Sequence, residues 1–511
     1  MFDLSLHSGA THGPVDLHGS RLRPQVPSAA CAIQDERCKR RETVEAIRSI
    51  LRPRTIVVIG ASRNPQDPGS RIVEDIRMGG FTGALYVVHA EIPVILGVAT
   101  VASIRDLPRG VDLAILSVAG GDVLKTVDEC GQAGVRALVI LSSGFAECGP
   151  IGRLLQDAVL DLVRGYGMRL IGPNSLGVLN LEHSVQLHAA CAPILPAEGG
   201  ISLASQGGTL GSALLDLVAE RELGLSSYVS LGNTADVSSN DVLEYWEHDP
   251  ATRVILLYLE SFGNPWRFAQ IARRIGERKP IVALKAGRTE AGARSGRRHL
   301  GALANDDAVV GAIFEQTGVI HVEWIDEMFD VASGLDLQPL PRGKRVAIVT
   351  NAAGPGILAA DACATTGLTV ALLGSDTHAT VTSVLSPASG HERPGEIVLA
   401  AEPSQYRASI EAVLCDPCVD SVVVIVAPSE MQRSAEILVN IGDAVRAARA
   451  RGIREKPVLV CAMTRRRRAS PIAAGCERIP TYAFPESAVR ALAKIAGYVE
   501  SRTRTEADHN S

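Results

Sequence analysis

From Thr55 onward, short apolar runs recur between stretches whose apolar positions return every three or four residues. The runs TIVVIG, ALYVVH, DLAILSV, ALVILSSG and RLIGP are too short for helices and rich in β-branched residues, as buried strands are. DVLKTVDECGQAG, between two of them, has helical spacing. Such alternation predicts βαβ units and a parallel sheet. It resumes with GISLAS, SSYVSLG, VILLYLES and PIVALKAG, and again after the loop QPLPRGK with RVAIVTN, TVALLG, SVVVIVAP and PVLVCAM. Three α/β sheets are therefore expected, divided near residue 185, after GPNSLGVLN, and near residue 338. The chain then reads as a flexible leader over 1–45, rich in Ser, Pro, His and Gly, three domains over 46–185, 186–338 and 339–497, and a frayed polar tail over 498–511.

The 511 residues are enough for three cores, and 46% hydrophobic, 4% aromatic and 48 Gly suit Val/Ile/Leu strands joined by Gly-rich turns. A net charge of −5 turns the expectation from nucleic acid and anionic membranes toward small metabolites. MFDLSLHSGATHGPVDLHGS lacks a basic and then apolar signal pattern, and no apolar run reaches spanning length, so a soluble, cytoplasmic protein is expected. The ten cysteines form no repeating framework. Cys415 and Cys418 make one C-x-x-C with no second pair at zinc-like spacing, so no metal site is expected. The run Arg465 to Arg468 reads as a solvated or partner-facing patch.

Three places carry candidate chemistry. After TIVVIG come Gly60, Ala61, Ser62 and Arg63, then Gly69 before a helix. A glycine there admits close backbone approach, and free N–H groups at the helix start favour a phosphate. The turn is not G-x-G-x-x-G, and the second strand, YVVHA, ends without the carboxylate a nicotinamide dinucleotide needs for its ribose, so another phosphate-bearing ligand or an empty tight turn remains. Next, His299 lies in GRTEAGARSGRRHLGALANDD, where it is either a mobile nucleophile toward phosphorus or a solvated histidine among arginines. Last, Glu260 ends a strand on the ligand side of a parallel sheet, free to orient an imidazole or merely solvated. GISLASQGGTLGSALLDLV and RVAIVTNAAGPGILAADAC echo each other, each passing from strand through small residues into a helix. Two such helix starts facing one another could hold one phosphoryl group.

In chain order, IGAS (59–62), SSGFAE (142–147), GPNSLGVLN (172–180), SQGGTLG (205–211), GNTADV (232–237), LYLESFGNP (257–265), RHLGALA (298–304), NAAGPGILAADA (351–362) and PTYAFPESAVRAL (480–492) resemble the NDP-forming acyl-CoA synthetases, relatives of succinyl-CoA synthetase. The resemblance runs from about residue 46 to residue 497. It implies an N-terminal Rossmann-like coenzyme-A-binding domain followed by two flavodoxin-like domains of the succinyl-CoA-synthetase type. It further implies that His299 carries a phosphoryl group, Glu260 orients it, and Gly207, Gly208 and Thr209, with Gly354 and Gly356, cradle it. Coenzyme A, a substrate, is expected at Gly60, Ala61, Ser62, Arg63, His89, Ser117, Val118, Ala119 and Asn174. Mg²⁺ and ADP/ATP or GDP/GTP are expected only through an ATP-grasp partner subunit, with an acyl-CoA or carboxylic acid as the other partner and a homo- or hetero-oligomer as the assembly. Departures from the family pattern are Arg298 and Leu300 around the histidine, Gly207 for the second Ser of Ser-Gln-Ser-Gly, Thr234 for Lys, His89-Ala90 for Asn-Pro and Val118-Ala119 for Val-Pro. Asp307 keeps its motif position. The alternative expectation is a catalytically silent module that senses coenzyme A or acyl-CoA.

Overall fold

A computed structural model describes residues 29–192, 194–292, 307–384, 396–398, 402–428, 431–463 and 470–510. The chain divides at residue 42; everything below lies in Thr43–Ser511, and the described residues before it form the front of the first helix. That helix, α1 (Ala29–Leu51), leads into β1 (Thr55–Ile59), α2 (Pro68–Met78), β2 (Ala84–Val88), β3 (Val94–Ile95), β4 (Val98–Val101), β5 (Leu113–Leu116), α3 (Gly120–Gln132), β6 (Ala137–Ile140), α4 (Pro150–Gly165) and β7 (Arg169–Ile171). The strands form one sheet in the order 3-4-2-1-5-6-7, in which β3 alone is antiparallel to its neighbour.

Then follow β8 (Gly177–Asn180), β9 (Leu187–Ala190), β10 (Ala197–Ser205), α5 (Gly208–Glu220), β11 (Gly224–Ser230), α6 (Ser239–His248), β12 (Val254–Leu259), α7 (Pro265–Gly276), β13 (Ile281–Lys285), α8 (Asp307–Thr317), β14 (Ile320–Val322) and α9 (Ile325–Leu337). The second sheet runs 14-13-12-10-11-8-9, parallel from β14 to β11 and closed by antiparallel β8 and β9. The backbone thus enters it at Gly177, short of residue 185.

The third stretch holds β15 (Arg345–Thr350), α10 (Ala353–Thr365), β16 (Thr369–Val370), α11 (Ser375–Val384), β17 (Glu396–Val398), α12 (Pro403–Cys415), β18 (Ser421–Val426), α13 (Met431–Ala450), β19 (Val458–Ala462), β20 (Ile472–Ala474), β21 (Glu477–Ile479), β22 (Thr481–Tyr482) and α14 (Pro485–Asn510). Its parallel sheet runs 16-15-18-19-22, with β17 also beside β15 and the β20–β21 hairpin apart. Two expectations at the chain ends need correction. The segment expected to be a flexible leader is helical from Ala29, and α14 runs to Asn510, through the stretch expected to fray. Both stretches are polar, but their side chains favour helix well enough to extend one already anchored by its apolar half.

Strand alternation sorts the core into layers. Val57 and Ile59 of β1 point into one apolar cluster, Ile56 and Val58 into a second. That second cluster also takes Ile255, Leu257 and Leu259 of β12, whose Val254 and Leu256 point into a third. The third takes Val423 and Ile425 of β18, while Val422, Val424 and Val426 face a fourth. The three sheets are therefore stacked, each sharing an apolar layer with the next.

Each sheet has an inner strand from which the chain runs to both sides. The chain leaves β1 for β2 on one side and reaches β5 on the other; β10 lies between β11 and β12, and β15 between β16 and β18. At such a point the connections after adjacent strands diverge and open a crevice at the strands' C-terminal ends, where ligands bind in open α/β sheets. The three crevices lie after β1 and β5, after β10 and β12, and after β15 and β18.

Candidate functional site

The first crevice is built on Gly60, whose φ of 96° suits glycine. A Cβ there would lie 2.1 Å from the Ser117 carbonyl oxygen. The glycine therefore lets the turns after β1 and β5 abut, and it is Ser117, rather than a ligand, that fills the space its missing side chain leaves. Gly69 serves likewise: a Cβ there would meet the Gly60 carbonyl oxygen at 2.7 Å. Ser62 N–H donates to Ser70 Oγ (2.9 Å), and Ser62 Oγ donates to Asp67, the residue capping α2, with Pro68 next. Asp67 also accepts from Asn64 Nδ2 (2.8 Å) and makes no side-chain bond to the first turn of α2, which begins with Pro68. Arg63 is exposed at the tip of this turn, and Ala61 is buried beneath it.

His89 closes the neighbouring turn with its ring. Nδ1 accepts from the N–H groups of Glu91 (3.2 Å) and Ile92 (3.1 Å), which leaves Nε2 as the protonated nitrogen of the neutral ring. On the other side Ser142 Oγ donates to the Val118 carbonyl, and Ala119 caps α3 without a side-chain bond.

The second crevice adjoins the first. Asn174 N–H donates to the Ser142 carbonyl (2.9 Å), and its own carbonyl would lie 3.6 Å from a Cβ on Gly208. Asn174 Nδ2 donates to Asn233 Oδ1 (3.4 Å), and Asn233 Nδ2 donates to Glu147 and to Gln156 Oε1 (3.0 Å). Burial pulls the Glu147 carboxyl up, but hydrogen bonds from Asn233 and the Gly144 and Phe145 amides outweigh it and hold the group below its usual range.

Gly207, without a side chain, caps α5, and in the first turn Gly208 is half-buried and Thr209 exposed. Such a start offers N–H donors and a positive dipole end. A Cβ on Gly207 would lie 3.5 Å from Glu260 Oε1 and 3.5 Å from Tyr258 Cε1, so both side chains converge on this helix start. Gln206 fixes the strand end that carries them. Its N–H donates to the Tyr258 carbonyl (3.2 Å), its Oε1 accepts from the Glu260 and Ser261 amides, and its Nε2 donates to the Ser261 carbonyl (2.8 Å).

In the third crevice α10 begins after Ala352, again with no side-chain cap; Gly354 is exposed with open space where a Cβ would stand, and Gly356 is buried. Asn351 ties the crevice shut, donating to the Ala427 carbonyl (3.2 Å) and accepting from the Ala427 amide (2.7 Å). His299, with its flanking Arg298 and Leu300, lies outside the described residues, as do Arg465 to Arg468.

A line of direct neighbours thus runs from Gly60 through Ser117, Val118, Ser142 and Asn174 to Gly208, Gly207 and Glu260. Sequence reasoning singled out neither Tyr258 and Gln206 nor Glu147 and Asn233. For Tyr258 the signal was strand parity, since it stands two residues before Glu260. Among the described residues, no helix is long and apolar enough to cross a membrane.

Three family models match the chain: a CoA binding domain at residues 54–180, a succinyl-CoA ligase like flavodoxin domain at 198–335 and a Ligase-CoA domain at 346–488. The expected fold class, a Rossmann-like coenzyme-A-binding domain and two flavodoxin-like domains, is borne out. The chain is 35% identical over 375 residues to acetate–CoA ligase [ADP-forming] II subunit alpha of Pyrococcus furiosus, covering 73% of this chain and 80% of that one. It is 32% identical over 455 residues to the I subunit alpha of the same organism, covering 88% and 97%. Other curated relatives are longer, and the chain spans 50 to 60% of them. Among solved structures, the dinucleotide forming acetyl-coenzyme A synthetase 1 of Ca. Korarchaeum cryptofilum in complex with phosphate and ADP superposes with a TM-score of 0.81 at 30% identity, over 90% of this chain and 98% of that one.

Proposed function

Since the chain belongs to the NDP-forming acyl-CoA synthetase family, we propose that it is the coenzyme-A-binding subunit of such an enzyme, interconverting acyl-CoA, phosphate and NDP with carboxylic acid, coenzyme A and NTP. Coenzyme A lies along the first crevice, against Gly60 to Arg63, His89, Ser117 to Ala119 and Asn174. Phosphate displaces the thiolate from the acyl carbon to give acyl phosphate and free coenzyme A. A ring nitrogen of His299 then attacks phosphorus, the carboxylate leaves, and the phosphoryl group stays on the ring. Glu260 accepts the ring's other N–H and favours the nucleophilic tautomer. The starts of α5 (Gly207, Gly208, Thr209) and α10 (Gly354, Gly356) receive the phosphoryl oxygens. An ATP-grasp partner subunit holding ADP or GDP with Mg²⁺ takes the phosphoryl group, in a cytoplasmic oligomer of the two chains.

The observation that carries this reading is the unbroken line of neighbours from Gly60 to Glu260. Along it, the turns after β1 and β5 and a helix start with a carboxylate beside it share one edge of two stacked sheets, which supports the reading. Acyl transfer and phosphoryl transfer need that proximity, because the acyl phosphate made at one must reach the other. The test is acid-labile label from γ-labelled ATP on wild type and His299→Ala. Each is mixed with Mg²⁺ and an ATP-grasp subunit that phosphorylates an established alpha subunit of the family. Label on wild type that is lost in the variant is the expected result. An unlabelled wild type that still binds coenzyme A would instead leave a binding module.

A further inference from the structure

A chain of hydrogen-bonded side chains joins the turn after β6 to the loop after β11 and ends on Asn174. Glu147 Oε1 accepts from the Gly144 (2.6 Å) and Phe145 (3.1 Å) amides, and Glu147 Oε2 accepts from Asn233 Nδ2. The other Nδ2 hydrogen of Asn233 goes to Gln156 Oε1 (3.0 Å), and Asn233 Oδ1 accepts from Asn174 Nδ2 (3.4 Å). The direction of this chain is fixed at the Glu147 end. An ionised carboxylate only accepts, so Asn233 must turn its nitrogen to Glu147, and Asn174 must turn its own nitrogen to the oxygen that Asn233 has left. Burial raises the Glu147 carboxyl, but the hydrogen bonds from Asn233 and the two amides hold it below its usual range, which keeps it ionised at neutral pH. Asn174 Oδ1 accepts from none of the described residues, and the residue is half-buried. The backbone beneath is held as well: Asn174, at φ 57°, donates its N–H to the Ser142 carbonyl (2.9 Å), and Asn233 N–H donates to the Pro173 carbonyl (2.9 Å).

We propose that Glu147 and Asn233 are positioning residues for coenzyme A: they set the direction of the Asn174 amide, so that its oxygen is the atom offered to the ligand and accepts an amide N–H of the pantetheine arm. The assignment rests on the reading above that coenzyme A lies along the first crevice. On that line of neighbours Asn174 stands between the turns at Gly60 and Ser117 and the start of α5. A coenzyme A with its diphosphate at the turns and its acyl end near α5 passes Asn174 with the arm that joins them. The arm carries two amide groups and no charge, and its N–H groups need acceptors once they leave water. An unattached Asn amide can turn over and offer either its nitrogen or its oxygen. Tied through Asn233 to a carboxylate, it offers the oxygen alone.

The experiment is calorimetric titration of coenzyme A into wild type, Asn174→Ala, Asn233→Ala, Glu147→Gln and the double variant Glu147→Gln with Asn233→Asp, each checked for folding by its thermal melt. Glu147→Gln keeps the size of the side chain and an acceptor for the Gly144 and Phe145 amides, but sets a donor against Asn233 Nδ2. Asn233 must then turn over and Asn174 with it, so that a nitrogen replaces the oxygen offered to the arm. A mispaired group of this kind costs about tenfold in affinity, which is the loss expected of Glu147→Gln. The double variant moves the carboxylate one step along the chain, keeps the total charge and restores the original direction, so it is expected to recover most of that loss. Glu147→Gln that binds as wild type does, or a double variant no better than Glu147→Gln, overturns the assignment while leaving the coenzyme A reading intact. Should Glu147→Gln fail to fold, Asn233→Ala takes its place: it frees the Asn174 amide to turn and is expected to lose affinity about threefold, and wild-type affinity there overturns the assignment equally. Wild type that binds no coenzyme A sinks the reading itself, and Asn174→Ala that binds like wild type takes Asn174 out of the site and the assignment with it.

Discussion

Gly60→Ala tests whether the first crevice is built as described. Two costs arise. At φ 96° an L-residue is strained by about 1–2 kcal/mol, since its Cβ crowds its own backbone. The new methyl would also stand 2.1 Å from the Ser117 oxygen and 2.6 Å from its carbonyl carbon, both backbone atoms. Ser117 has little room to retreat, because its amide donates to the Ile59 carbonyl (2.9 Å) and β1 and β5 pair up to Ile59 and Leu116. Backing off by the necessary ångström gives up one or two of these bonds, each worth about 1 kcal/mol, so the total comes to roughly 2–4 kcal/mol. Gly80→Ala separates the two costs. Its φ of 83° is comparable, but nothing lies within 4 Å of its Cβ position, so only the strain of about 1–2 kcal/mol applies. Chemical unfolding followed by circular dichroism gives both numbers, and calorimetric titration with coenzyme A shows whether the displaced Ser117 turn costs affinity. Gly60→Ala is expected to lose coenzyme A binding by tenfold or more, and Gly80→Ala to keep it. Equal destabilisation by the two alanines would refute the contact between the turns, and unaltered coenzyme A affinity in a destabilised Gly60→Ala would refute the site assigned to them.

Asp75, on α2, has its carboxyl pushed up to about 6 by burial, with Arg71 opposing and Glu74 adding to the rise. The folded state therefore holds the proton more tightly than the unfolded chain, and stability falls as pH rises from about 4 through 6. Asp75→Asn, discounted for a half-exposed group, should stabilise by about 1 kcal/mol at pH 7.5 and by nothing below pH 4, as read from thermal melts across pH; a gain at both ends would contradict the sign. Arg52 donates to Tyr245 Oη (3.0 Å), Asp249 Oδ1 (3.2 Å) and Glu182 at the junction of α1 with the second sheet. Arg52→Ala should cost about 2–4 kcal/mol in chemical unfolding, and Arg52→Lys should recover less than half of it because an ammonium cannot span three partners as the planar fork does. A lysine as good as arginine would remove the fork from the account.

The strands were legible because parallel strands covered on both faces read as unbroken Val/Ile/Leu runs, and TIVVIG, VILLYLES and SVVVIVAP became β1, β12 and β18. The two- and three-residue strands β3, β17 and β20 to β22 were not, since so short a pairing leaves no pattern and is decided by the neighbouring strand. The ends misled for a related reason: the polar stretches at the ends of α1 and α14 carry no apolar stripe in the sequence, so they looked like loops. In the site, Glu260 stood out as a carboxylate closing an apolar run, whereas Tyr258 inside that run looked like core. Gly60 misled in the opposite direction. Its pattern pointed to a ligand, but its missing side chain is used to let Ser117 in. The crevice is thus set first by the packing of one turn on another, and a ligand meets the surface that this packing leaves.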